Sequence, residues 1–140
     1  MTNARKVWVL AAVPALLAWN PLTAGMKPEH EVRQAVEHYI SGDPARYRQV
    51  FRPEAVLMWV VDDTLATRTS AAFIAGSRGA PEGGTGRRIQ SVDVSGRAAM
   101  VKVVQESPRG MVTDYLALLK LGEDWKIVNK TFTVEPRTAD

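Results

Sequence analysis

Thr113-Asp114-Tyr115-Leu116-Ala117-Leu118-Leu119-Lys120-Leu121-Gly122-Glu123-Asp124-Trp125-Lys126-Ile127-Val128-Asn129-Lys130-Thr131-Phe132 reads as two strand-length runs. Aromatic, β-branched and aliphatic residues recur on both sides of Gly122-Glu123-Asp124, whose glycine and short polar side chains mark a turn. Such a pair closes as an antiparallel hairpin. Upstream, Ile89–Val94 and Ala98–Gln105 are further strand-length runs, punctuated by Ser95-Gly96 and by Ser107 to Gly110. The carboxyl half therefore reads as an antiparallel meander of four strands.

The amino half has a different period. Between Pro28 and Ser41, the apolar residues Val32, Ala35, Val36, Tyr39 and Ile40 lie on one face of a helix, and Gly42 is a natural stop. Asp43-Pro44 then opens a second helix as cap and first residue, with Tyr47, Val50 and Phe51 as its apolar stripe. Val56–Val61 reads as a buried strand ending in a turn at Asp62-Asp63, and Ser70–Ala75 as a short helix. Residues Gly76 to Gly86, rich in glycine and carrying Pro81, read as a loop. This order predicts an α+β fold, a curved antiparallel sheet wrapped around the opening helices.

The chain has 140 residues, 46% hydrophobic and 24% charged, which fits one globular domain. It contains no cysteine, so disulfides, zinc–thiolate sites and thiol nucleophiles are excluded. Arg5 and Lys6 precede a short apolar run, Val7 to Trp19, and then the small residues Thr23, Ala24 and Gly25. The pattern predicts a signal peptide over residues 1–25, a domain over residues 26–140, and a periplasmic or secreted location with no membrane span after cleavage. Loss of Arg5 and Lys6 lowers the formal charge from +3 to +1. That is too little to predict a nucleic-acid partner.

The hairpin quoted above resembles the closing hairpin of the lumazine-binding-like branch of the nuclear transport factor 2-like superfamily. His38-Tyr39-Ile40 with Gly42-Asp43-Pro44 is similar to the end of that family's first helix, and Val50-Phe51-Arg52-Pro53-Glu54-Ala55 to its lead into the first strand. The resemblance implies a cone-shaped fold with a pocket between sheet and helices, usually dimeric. The same superfamily holds ketosteroid isomerase and the SnoaL-like cyclases. Set against the isomerase pattern, Tyr39 matches the hydrogen-bond-donating tyrosine, Trp59 replaces the general-base aspartate and Ala117 replaces the protonated aspartate. An indole and a methyl group can perform neither role.

The remaining candidates follow from period-two alternation. A four-residue turn flanked by Leu121 and Lys126 pairs Ala117 with Lys130, which places Thr113, Tyr115, Ala117 and Leu119 on one face with Val128, Lys130 and Phe132. Tyr39, Trp59, Tyr115, Lys130 and Phe132 are then the expected ligand-binding set. Asp114 is expected to face away from Lys130. The predicted partner is a small apolar or weakly anionic molecule, bound without catalysis. A SnoaL-like proton transfer using Tyr39 and Lys130, and a ligand-free interaction module, are the alternatives. His30 and His38 are too far apart for a helical metal pair, Gly83 to Arg88 lacks the ending of a phosphate loop, and no nucleophile motif occurs, so neither metal nor cofactor is expected. On the same register Leu116, Leu118, Trp125 and Ile127 form an apolar outer face, which predicts a homodimer.

Overall fold

Gly42, in the left-handed region at φ 74°, stops helix α1 (Pro21–Ile40), and the Asp43 side chain accepts a hydrogen bond from the Ala45 N–H to open α2 (Pro44–Val50). The computed structural model describes residues 21–137. The next elements are β1 (Phe51–Val61), β2 (Thr64–Thr69) and α3 (Ser70–Ala75), followed after a loop by β3 (Arg87–Ser95), β4 (Ala98–Ser107), β5 (Gly110–Leu121) and β6 (Asp124–Pro136). Helix α1 begins at Pro21 and carries Pro28 inside it, ahead of the expected start. Residues 1–20, which hold the basic and apolar parts of the expected signal peptide, lie outside the described residues. No described helix is long and apolar enough to cross a membrane.

The strands form one six-stranded sheet in the order β2-β1-β6-β5-β4-β3. The four-strand meander is present, and all neighbours are antiparallel except β1 and β6, which run parallel. That parallel pair follows from the strand after the helices returning beside the last strand of the meander. Strand β2 was not expected. It is paired to β1 from Val61↔Thr64 to Val56↔Thr69, through a two-residue turn in which Asp62 and Asp63 both adopt positive φ, 48° and 60°. Two left-handed residues at a tight hairpin match the strand twist, and aspartate tolerates that conformation better than most side chains.

The final hairpin has a shorter turn than expected, which keeps its faces, and a bulge, which moves Lys130 and Phe132 to the opposite face. Leu121 pairs with Asp124 around Gly122 and Glu123, and Val128 is an extra, bulged residue, because Leu118 pairs with Ile127 and Ala117 with Asn129. Lys130 therefore sits opposite Leu116, not Ala117. A slip of one residue exchanges inside for outside. Leu116, Leu118, Trp125 and Ile127, expected on an outer dimer face, are all buried in the core, Leu116 and Ile127 at 0% exposure. They pack with Val32, Val36 and Tyr39 of α1 and with Val101 and Val103 of β4. Each such side chain contributes about 1.5–3 kcal/mol on burial. Met100, Tyr115 and Leu119 face outward instead.

Candidate functional site

Three polar side chains meet under the helices. Tyr39, at the end of α1, donates from Oη to Asp114 Oδ2 at 2.6 Å, and Lys130 Nζ donates to the same Tyr39 oxygen at 2.6 Å. Lys130 Nζ also lies 2.9 Å from Asp114 Oδ1, off the axis of a good hydrogen bond, so that oxygen is served by charge. All three are buried. Burial and the neighbouring Asp114 carboxylate hold the Tyr39 hydroxyl well above its ordinary range, so it stays a neutral donor. Burial lowers Lys130, an effect that the Asp114 charge opposes and only partly offsets. Asp114 thus faces Lys130, contrary to expectation, because the extra residue Val128 shifts the β5–β6 register by one and turns Lys130 to the face of Leu116 and Asp114.

Aromatic rings enclose the ammonium. Lys130 Nζ is 5.0 Å from the Tyr39 ring centre, 4.9 Å from Phe132 and 5.5 Å from Phe73, and Trp59 stacks on Phe132 at 5.2 Å. Of the five expected binding residues, Tyr39, Trp59, Lys130 and Phe132 are brought together. Tyr115 is not. It lies on the outer face, 43% exposed, with Lys102 Nζ 5.7 Å from its ring centre.

Arg87, at the start of β3, turns inward. Its Cζ lies 4.4 Å from the Tyr39 ring centre, and Nη1 donates to Tyr47 Oη at 2.6 Å and to the Tyr39 carbonyl at 3.0 Å. Nε donates to Gln105 Oε1 at 3.3 Å, and Gln105 in turn donates to the Thr85 carbonyl at 2.7 Å. Next to Arg87 a cleft of about 230 Å³ opens, walled by Tyr47, Arg68, Phe73, Arg87 and Gln105 and covered by Gly76, Ser77, Gly79, Pro81 and Thr85 of the glycine-rich loop. Thr85 Oγ1 ties that loop to the Ile40 carbonyl at 2.7 Å. Two other clefts, about 330 Å³ beside the β5–β6 turn and about 270 Å³ between α2 and α3, share no side chain with the Tyr39–Asp114–Lys130–Arg87 network. Arg68, Arg87, Tyr47 and Gln105 escaped the sequence reading. The available signal was alternation from Arg87 through Ile89, which puts Arg87 on the core face and Arg88 outside.

A family profile described as putative lumazine-binding matches residues 27–133. The chain belongs to that family. Its place in the nuclear transport factor 2-like superfamily is shared by several structural neighbours that are described as proteins of unknown function. A nuclear transport factor 2-like protein from Shewanella baltica is similar at a TM-score of 0.68 and 23% identity, covering 80% of this chain and 97% of its own. One from Silicibacter pomeroyi matches at 0.66 and 22%, covering 79% and 98%, and one from Methylobacillus flagellatus at 0.57 and 25%, covering 86% and 97%. No curated protein matches the chain. For this lumazine-binding-like family member, the likeness to these neighbours establishes the helix-and-curved-sheet architecture. The side-chain network and the cleft are features of its own residues.

Proposed function

We propose that this protein is a non-catalytic small-ligand-binding domain, exported by its amino-terminal segment, whose ligand occupies the cleft at the mouth of the cone. The observation that carries the reading is the cleft itself. It lies between the rings of Tyr47 and Phe73 under a glycine-rich cover, and Arg68, Arg87 and Gln105 converge on it, so it offers aromatic surface and polar groups to one concave site. At about 230 Å³ it has room for a molecule of fragment size, below the span of about 300–1,000 Å³ usual for drug-sized ligands.

The acid–base network argues for binding over proton transfer. A general base needs a free lone pair within reach of substrate. Lys130 is instead paired to Asp114 and bonded to Tyr39, and it does not line the cleft; the Tyr39 proton is likewise committed to Asp114. Native mass spectrometry of protein purified from its own cell envelope tests the proposal. A small molecule retained by the wild type and lost on Phe73→Glu is the expected result, and a wild type that carries and accepts no small molecule would refute it. Sequencing the amino terminus of the same sample tests export, with a start near Gly25 or Met26 expected. Self-association belongs to the proposal too, supported by the exposure of Met100, Tyr115 and Leu119 on the outer face.

A further inference from the structure

Resting on the assignment of the cleft as the ligand site, we infer that the ligand is an anion, a carboxylate or phosphate ester on a small apolar body, received by Arg87 and Arg68. The inner face of the sheet and the cleft hold the cations Arg68, Arg87 and Lys130. The carboxylate among them is Asp114, and both of its oxygens are already engaged, one by Tyr39 and the other by Lys130. No aspartate or glutamate lines the cleft. Among the described residues neither Arg68 nor Arg87 forms a salt bridge.

The donors of Arg87 can be counted. A guanidinium carries five N–H groups in a fixed fork. Nη1 spends its two on Tyr47 and Tyr39, and Nε spends its one on Gln105. Both hydrogens on Nη2 have no acceptor among the described residues, and Nη2 is not sealed in the core. The three bonds and the Tyr39 ring beneath fix the fork before any ligand arrives, which lowers the ordering cost of binding. Arg68 reaches the same cleft from the edge strand β2, with its Cζ 5.7 Å from the Trp59 ring centre and no hydrogen-bond partner among the described residues. Two positive forks on one cleft without a counter-charge match an oxyanion. The rings of Tyr47 and Phe73, with centres 5.2 Å apart on the same cleft, suit the apolar remainder.

The test uses benzoate, phenyl phosphate and benzyl alcohol, titrated into the wild type and into Arg68→Gln and Arg87→Lys, with binding read from amide resonances of the cleft residues. At least one of the two anions is expected to bind about tenfold or more tightly than benzyl alcohol, and Arg68→Gln to weaken it about tenfold, in line with loss of a charge-assisted hydrogen bond. Because Arg68 is exposed on an edge strand, that variant should keep the wild-type melting temperature. Arg87→Lys keeps the charge and loses the fork, so it should weaken the same anion while benzyl alcohol is unaffected. Which anion binds more tightly separates carboxylate from phosphate. Benzyl alcohol binding as tightly as either anion, or anion binding unchanged in both variants, would overturn the charge assignment and leave the pocket standing. If no probe moves the cleft resonances, the pocket itself falls.

Discussion

Asp114 and Lys130 face each other inside the protein with little water to screen them, so neither can be removed alone without cost. Lys130→Met leaves a buried carboxylate whose remaining donor is Tyr39, and should destabilise the fold by about 3–5 kcal/mol. Asp114→Leu combined with Lys130→Met removes both charges and should recover most of that loss, as urea unfolding of the single and double variants will measure. The same groups set an alkaline signature. Lys130 has a folded pKa below its ordinary 10.5, so between the two values the unfolded chain holds a proton that the native state has lost, and stability rises with pH. Tyr39 has a folded pKa above its ordinary 10.0, so beyond that value the unfolded chain loses a proton that the native state keeps, and stability falls. Unfolding midpoints from about pH 8 to about pH 11 should therefore lose their rise in Lys130→Met and lessen their fall in Tyr39→Phe.

At the level of elements, the sequence was most legible where a local rule decides. The period of α1, the cap at Asp43, the glycine-rich loop and the meander each follow from a few neighbouring residues, and each is present. Strand β2 was missed because Thr64–Thr69 is largely exposed and lacks a core-facing apolar alternation. The face of the last hairpin was misread for another reason. A turn one pair shorter than supposed keeps each side chain on its face, but the bulge at Val128 turns Lys130 and Phe132 over, and a bulge leaves no local mark. Choosing as the inside the face with Leu116, Leu118, Trp125 and Ile127 would have corrected it, and would have turned Asp114 toward Tyr39. Arg68 and Arg87 were hidden because nothing near them in sequence says that they share a cleft. The junction of α1 with the loop offers its own test. A Cβ on Gly42 would lie 2.6 Å from Thr85 Cγ2 and 3.0 Å from Ala80 Cβ, at a φ that disfavours side chains. Gly42→Ala should cost about 1–3 kcal/mol and raise hydrogen exchange in the loop above its wild-type rate while the sheet's exchange changes less.

On the scale of the whole molecule, assembly turns on the outer face of the sheet. Met100, Tyr115 and Leu119 are 49%, 43% and 41% exposed there, and Met100 and Leu119 line a shallow groove with Ala98, Ala117 and Val128. Leu119→Glu should give a monomer in sedimentation if a second copy covers this groove, whereas Leu118→Glu, now placed in the core, should unfold the chain. A wild type that sediments as a monomer at micromolar concentration would remove self-association. The strand order also governs when the fold can form during synthesis. Strand β6, the last described element to leave the ribosome, lies between β1 and β5. Until it arrives, β1–β2 and the β3–β5 meander are two separate ribbons, each with an open edge, and the lysine that completes the charge pair is missing. The nascent chain therefore cannot settle into its native sheet piece by piece. It waits, its two ribbons unjoined and open to chaperones, until the final strand joins them at once.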